Sequence, residues 1–160
     1  MIKWGIIGCG NVTEVKSGPA FNKVKNSRLI AVMRRDALLA EDYARRHDVP
    51  RFYSNAHDLI NDKDINAVYV ATPPGSHAEY AIASITAGKP AYIEKPMAVN
   101  YAECLKIIKA SEKYKVPVFV AYYRRALPGF LKVKDLIENG SIGKVRFLQI
   151  QLFKAPSENE

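Results

Sequence analysis

The run from Ile2 to Thr13, I-K-W-G-I-I-G-C-G-N-V-T, constrains the fold most: an apolar strand passes directly into a glycine-rich turn. A buried strand ending in G-x-G is how a doubly wound α/β domain presents backbone N–H groups to a dinucleotide pyrophosphate. Gly8 permits a tight turn, and Gly10 leaves no side chain between backbone and phosphate. The N-terminus of a following helix adds partial positive charge. The third glycine or alanine of G-x-G-x-x-G/A is Thr13 here, so an ordinary strand-to-helix turn also accounts for the run.

The rest of the chain alternates strands and helices. Residues 12–25 have helical character that Gly18-Pro19 interrupts, with a second helical piece starting at Pro19, where proline suits a first turn. Residues 28–33 (R-L-I-A-V-M) read as a second buried strand. Asp36 then caps a helix to His47, with Leu38, Leu39, Tyr43 and Ala44 expected to face inward. A third strand at 51–53 precedes a helix capped by Asn55 and carrying Leu59 and Ile60. Residues 67–71 form a fourth strand, closed by Thr72-Pro73-Pro74-Gly75. Ser76 opens a helix ending at Gly88, 91–93 is a fifth strand, and Asn100 caps a helix holding Leu105 and Ile108. Residues 116–121 are the sixth strand. Near-continuous apolar strands between amphipathic helices predict a parallel sheet covered on both faces.

The last segment differs. Residues 127–139 read as a helix, with Phe130, Val133 and Ile137 in helical spacing and Gly140 at its end. Residues 144–153 (K-V-R-F-L-Q-I-Q-L-F) alternate like a strand of an antiparallel sheet, which needs pairing partners. The expected organisation is a Rossmann-like domain at 1–122. A connecting helix and the first strand of an incomplete second α+β domain follow at 123–160.

Composition narrows the class. With 160 residues, 48% hydrophobic and 25% charged, the chain matches a soluble globular protein with a sizeable core. No apolar run approaches the roughly 18 residues a membrane helix needs. The chain starts without a basic n-region or cleavage site, and Cys9 and Cys104 make a poor disulfide framework, so a reduced, cytoplasmic setting is expected. The formal charge of +8 is scattered and lacks the aromatic interleaving of RNA binders. It suits an anionic cofactor or an acidic partner better than nucleic acid.

Four groups at strand ends can carry chemistry. Arg34 and Arg35 close the second strand, where an acidic residue holds ribose hydroxyls and an arginine accommodates a 2′-phosphate. A guanidinium binds phosphate bidentately, which leans the pair toward NADP(H), with NAD(H) and a plain solvated pair left open. Thr72, Pro73 and His77 follow the fourth strand, where open α/β sheets bind ligands; His77 either contacts a cofactor or caps and packs. Glu94-Lys95-Pro96 follows the fifth. There Lys95 can hydrogen-bond a substrate hydroxyl or a nicotinamide ribose and polarise a carbonyl, and Glu94 either holds it or forms an exposed ion pair. Tyr122-Tyr123-Arg124-Arg125 ends the sixth strand. No His, Cys, Asp and Glu grouping has metal-site spacing, and no nucleophile elbow or P-loop lysine is present.

Taken together, G-C-G-N-V-T, A-V-M-R-R-D, A-T-P-P-G-S-H, E-K-P and Y-Y-R-R-A-L-P resemble the Gfo/Idh/MocA oxidoreductases, in order and spacing, over essentially the whole chain. The resemblance implies that Gly8, Gly10, Asn11 and Val12 line the pyrophosphate, with Thr13 opening the helix. It implies that Arg34 and Arg35 flank the adenosine end, and that Thr72, Pro73 and His77 border the nicotinamide half. Glu94 and Lys95 fall on the family's E-K-P, whose lysine contacts substrate and nicotinamide ribose and is the catalytic candidate. Tyr123 and Arg125 fall on an N-R-R-like run, with tyrosine in place of its asparagine.

Family members continue into a mostly antiparallel domain that shapes a sugar site, often mediates oligomers and carries the proton-transferring histidine. The expectation is therefore a cofactor domain that binds NADP(H) and turns over little by itself. Its substrates would be sugar-like or polyol CH–OH/C=O compounds, its assembly a homo-oligomer, with no nucleic-acid or membrane partner. The alternative is a non-catalytic nucleotide-sensing or interaction module that dimerises through its terminal strand.

Overall fold

Six strands build one sheet: Ile2–Ile7 (β1), Ser27–Met33 (β2), Arg51–Tyr53 (β3), Ala67–Val70 (β4), Ala91–Ile93 (β5) and Val118–Val120 (β6). In this computed structural model, which describes residues 1–153, they pair in parallel in the order β3-β2-β1-β4-β5-β6. The helices are Asn11–Val15 (α1), Ser17–Ala20 (α2), Ala37–Arg46 (α3), Ala56–Asn61 (α4), His77–Thr86 (α5), Tyr101–Tyr114 (α6) and Pro128–Glu138 (α7). The chain divides into two units, Met1–Tyr122 and the residues from Tyr123 onward. No helix among the described residues is long and apolar enough to cross a membrane.

Side-chain alternation along each strand splits the core between the two sheet faces. Ile7, Val68, Val70, Ile93 and Ile107 share one buried cluster with Leu59 and Ile85. Ile6, Val32, Phe21, Tyr43 and Tyr69 share the other. On that second face Trp4, Phe21, Tyr69 and Tyr92 form a continuous aromatic row, with ring centroids 4.8 to 6.3 Å apart. Such tilted rings bury large area and hold the sheet rigid beneath the strand ends that carry the site.

Local signals set the helix starts. Asp36 Oδ1 accepts from the Leu39 amide at 3.2 Å, Asn55 from His57 at 2.8 Å and Asn100 from Glu103 at 2.9 Å, each satisfying an orphan N–H. Gly88, at φ +75°, closes α5 as expected.

The sequence pattern misjudged four details. Leu38 and Leu39 are exposed, while Ala40 fills the inward position beside Tyr43 and Ala44. On α6 the buried residue is Ile107 rather than Ile108. In both cases apolar neighbours straddle the helix face, and packing selects the small or branched one. The second helical piece after the glycine turn, expected from Pro19, begins at Ser17 as α2.

The fourth correction concerns the second unit. It begins with a 3-10 turn at Tyr123–Ala126, continues through α7 and turns at Gly140 and Gly143, both at positive φ. Residues 144–153, expected as a strand, form none among the described residues, and Phe147, Ile150 and Phe153 are exposed. Alternation supplies an apolar face but no N–H and C=O partners, and without those a strand does not persist. The remainder of the 123–160 expectation, residues 154–160, lies outside the described residues.

Candidate functional site

β1 pairs with β2 on one side and β4 on the other, so the chain direction of winding reverses between β1 and β4. In open α/β sheets ligands bind in the crevice beyond the strand carboxyl ends at this point. The glycine turn after β1 and the Thr72 loop after β4 meet there. Gly8 sits at φ +93°, and a Cβ on it would stand 2.7 Å from Thr72 Cγ2 and 2.9 Å from the Ala71 carbonyl carbon. Only glycine meets both conditions. The Gly8 and Cys9 amides donate to the Met33 carbonyl at 2.9 and 3.1 Å, tying the turn to the end of β2.

Gly10 is different. No heavy atom lies within 4 Å of where its Cβ would stand, so the backbone there borders open space. Thr13, in place of the third glycine, is buried; its Oγ1 donates to the Gly10 carbonyl at 2.8 Å, and its own carbonyl accepts from the Tyr43 hydroxyl at 2.8 Å. The close approach usually served by that glycine occurs at Gly18, where a Cβ would meet the Thr13 carbonyl oxygen and the Tyr43 hydroxyl, each at 2.3 Å. Asn11 and Val12 are exposed at the start of α1, whose five residues carry little macrodipole.

A groove of about 560 Å³ opens along this edge. Of the residues singled out from sequence, Gly8, Gly10, Arg34, Arg35, Thr72 and Pro73 line it. Its volume is in the range of small-molecule sites. Arg34 is half-buried and Arg35 exposed, and no carboxylate pairs with either guanidinium among the described residues. Asp36 is engaged as the α3 cap. Burial pushes the Cys9 thiol up to about 11, against the opposing pull of Arg34, so the groove floor is a neutral thiol.

The groove also takes in Leu39, Ser76 and Tyr80, which the sequence reading did not assign to a site. Leu39 stands one turn into α3, behind the arginine pair, and Tyr80 three residues after His77. That helical spacing was the available signal. The Ser76 hydroxyl lies 2.8 Å from Thr72 Oγ1 and 3.1 Å from the Pro73 carbonyl, which stiffens the loop.

After β5, the structure favours one of the two arrangements expected for Glu94, which holds Lys95 through its backbone. Glu94 does not pair with the Lys95 ammonium. Its carboxylate accepts from the Tyr69 hydroxyl at 2.5 Å and from the Lys95 amide at 3.1 Å. Lys95 is exposed, and the Lys95-Pro96 peptide is cis. His77 is buried, with Nε2 2.7 Å from the Thr72 carbonyl oxygen and Nδ1 2.8 Å from that of Pro96. Both ring nitrogens thus face protein backbone. Tyr123 and Arg125 are exposed in the 3-10 turn of the second unit.

Comparison with known proteins gives a consistent result. A family model described as an oxidoreductase family with an NAD-binding Rossmann fold (GFO_IDH_MocA) matches residues 2–122. An oxidoreductase P35 of Formosa agariphila is 50% identical over 158 residues, 99% of this chain and 49% of that protein. An inositol 2-dehydrogenase of Salmonella paratyphi B is 32% identical over 145 residues, 89% of this chain and 43% of that protein. The crystal structure of myo-inositol 2-dehydrogenase from Lactobacillus plantarum superposes with a TM-score of 0.81 at 26% identity, covering 90% of this chain and 43% of that one. The chain spans about half the length of the curated relatives it matches.

Proposed function

The chain belongs to the Gfo/Idh/MocA oxidoreductase family, and from that premise we propose that its groove holds NADP(H) for an oxidoreductase acting on polyol or sugar-like CH–OH/C=O groups. The observation that carries this reading is the bare backbone at Gly10 facing a groove whose adjacent wall is the unpaired Arg34–Arg35 couple. The donor set fits a 2′-phosphorylated dinucleotide: glycine backbone for the pyrophosphate and two guanidinium groups for the phosphate on the ribose. Bound there, the nicotinamide supplies a two-electron acceptor or donor for the substrate carbon.

Gly10, with the amides that follow at Asn11 and Val12, cradles the pyrophosphate in this reading, while the Gly8 and Thr13 amides stay engaged on the Met33 and Gly10 carbonyls and shape the turn. Thr72 and Pro73 wall the groove toward the nicotinamide half, and Lys95 reaches the substrate oxygen or the nicotinamide ribose as a proton-donating cation. Tyr123 and Arg125 begin the connection to a further domain, which completes the substrate site and supplies the acid–base group. The 160-residue chain alone therefore binds cofactor and turns over little. The polyol class rests on the names of the inositol dehydrogenase relatives. Two free cysteines suit a reducing compartment such as the cytoplasm. The exposed apolar residues of α7, among them Phe130 and Val133, suit packing against that domain or a second subunit.

The test is a titration followed by NADPH emission. Wild-type chain should change the emission at sub-millimolar cofactor, and Gly10→Ala should weaken binding by about tenfold or more, roughly 1.4 kcal/mol. Absence of any emission change with wild-type chain, or equal affinity in Gly10→Ala, would contradict the reading.

A further inference from the structure

The segment 94–96 is held from two sides by buried side chains. From β4, Tyr69 donates its hydroxyl to Glu94 Oε1 at 2.5 Å; Glu94 Oε2 then accepts the Lys95 amide at 3.1 Å. From α5, His77 spans the Thr72 and Pro96 carbonyl oxygens at 2.7 and 2.8 Å. Tyr69 and His77 are almost completely buried. Neither His77 nor Glu94 lines the groove. The backbone adds one anchor, the Glu94 amide on the Val70 carbonyl at 2.8 Å. The Lys95 side chain, by contrast, projects into solvent, with no carboxylate partner among the described residues.

We propose that Tyr69, Glu94 and His77 form a bracket that positions Lys95 and ties the loop after β4 to the loop after β5, rather than contacting cofactor themselves. The proposal rests on the dinucleotide reading only for what Lys95 touches. The chemistry of the three groups favours this role. Burial, then the Glu94 hydrogen bond, pushes the Tyr69 phenol well above its ordinary range, so it stays a neutral donor to the carboxylate. A carboxylate with one oxygen on a phenol and the other on a backbone amide is fixed in orientation. His77 sets one ring nitrogen against a carbonyl of the loop after β4 and the other against a carbonyl of the loop after β5, so it packs between the two loops and turns neither nitrogen to a ligand. A long, flexible lysine gains in use as a donor when its backbone origin is fixed.

Two readouts on the 160-residue chain test the bracket. Amide exchange at Glu94 and Lys95, followed by NMR without cofactor, should quicken roughly tenfold in Tyr69→Phe and His77→Gln while α3 amides keep wild-type rates. Affinity should fall about three- to tenfold for NADPH and stay within about twofold for 2′,5′-ADP, which lacks the nicotinamide half. Unchanged exchange, unchanged NADPH affinity, or equal losses for both ligands overturns the proposal. If wild-type chain binds neither ligand, the dinucleotide reading fails and the exchange rates alone decide the bracket. Should His77→Gln not fold, Tyr69→Phe, which removes a single hydroxyl, carries both readouts.

Discussion

Gly8 and Gly10 stand two residues apart and meet opposite surroundings. A methyl at Gly8 collides with the Thr72 loop and occupies a left-handed backbone, whereas one at Gly10 enters empty space. Gly8→Ala should therefore lower stability by about 1–3 kcal/mol in urea unfolding, while Gly10→Ala leaves the midpoint nearly unchanged. Equal midpoints for the two variants would contradict the assignment of one glycine to fold and the other to ligand. At this scale the turn was legible because glycine's lack of a side chain is itself the signal. Thr13 was not. Its fit depends on Tyr43 and Gly18, and nothing local to G-C-G-N-V-T announces either. His77 and Glu94 were visible as residues, but their partners, Pro96 and Tyr69, lie 19 and 25 positions away along the chain.

Between elements, short α1 is anchored to α3 through charge as well as through Tyr43. Arg46 grips Glu14 with both carboxylate oxygens at 2.7 and 2.8 Å, and His47 Nε2 adds a contact at 2.8 Å. The Arg46 hydrogen bonds, then that of His47, lower the Glu14 carboxyl from its ordinary 4.5 to about 2. A carboxyl depressed on folding stabilises the native state above its unfolded value, and that contribution disappears as pH falls from about 4.5 to about 2. Glu14→Gln should therefore be destabilised at neutral pH relative to wild type and flatten the loss of stability across that window in acid titration. Parallel wild-type and variant profiles would argue against the pairing. Element type was legible from periodicity, and the caps Asp36, Asn55 and Asn100 from residue type. Which of two adjacent apolar residues turns inward was not, because Ile107 over Ile108 is decided by the facing helix α5 and the sheet.

For the whole molecule, the strict alternation of apolar strands with helices was enough to give the parallel sheet, and the sheet order places the glycine turn at the point of reversal. The terminal pattern at 144–153 did not convert into a strand, since alternation specifies a face and pairing requires a neighbour. A second, smaller groove of about 250 Å³, at the amino ends of the strands, is lined by Met1, Lys3, Arg28, Arg51 and Asp64, among others. It offers basic groups too, but Arg51 is already committed to Asp62 and Asp64. The two edges thus make competing claims on an anionic ligand, and one measurement separates them. Amide shifts of the wild-type chain titrated with NADP⁺ should move at Gly8, Gly10, Arg35 and Thr72 and remain still at Lys3, Arg28 and Arg51. Shifts concentrated at the amino edge, or none at either edge, would contradict a dinucleotide site at the glycine turn.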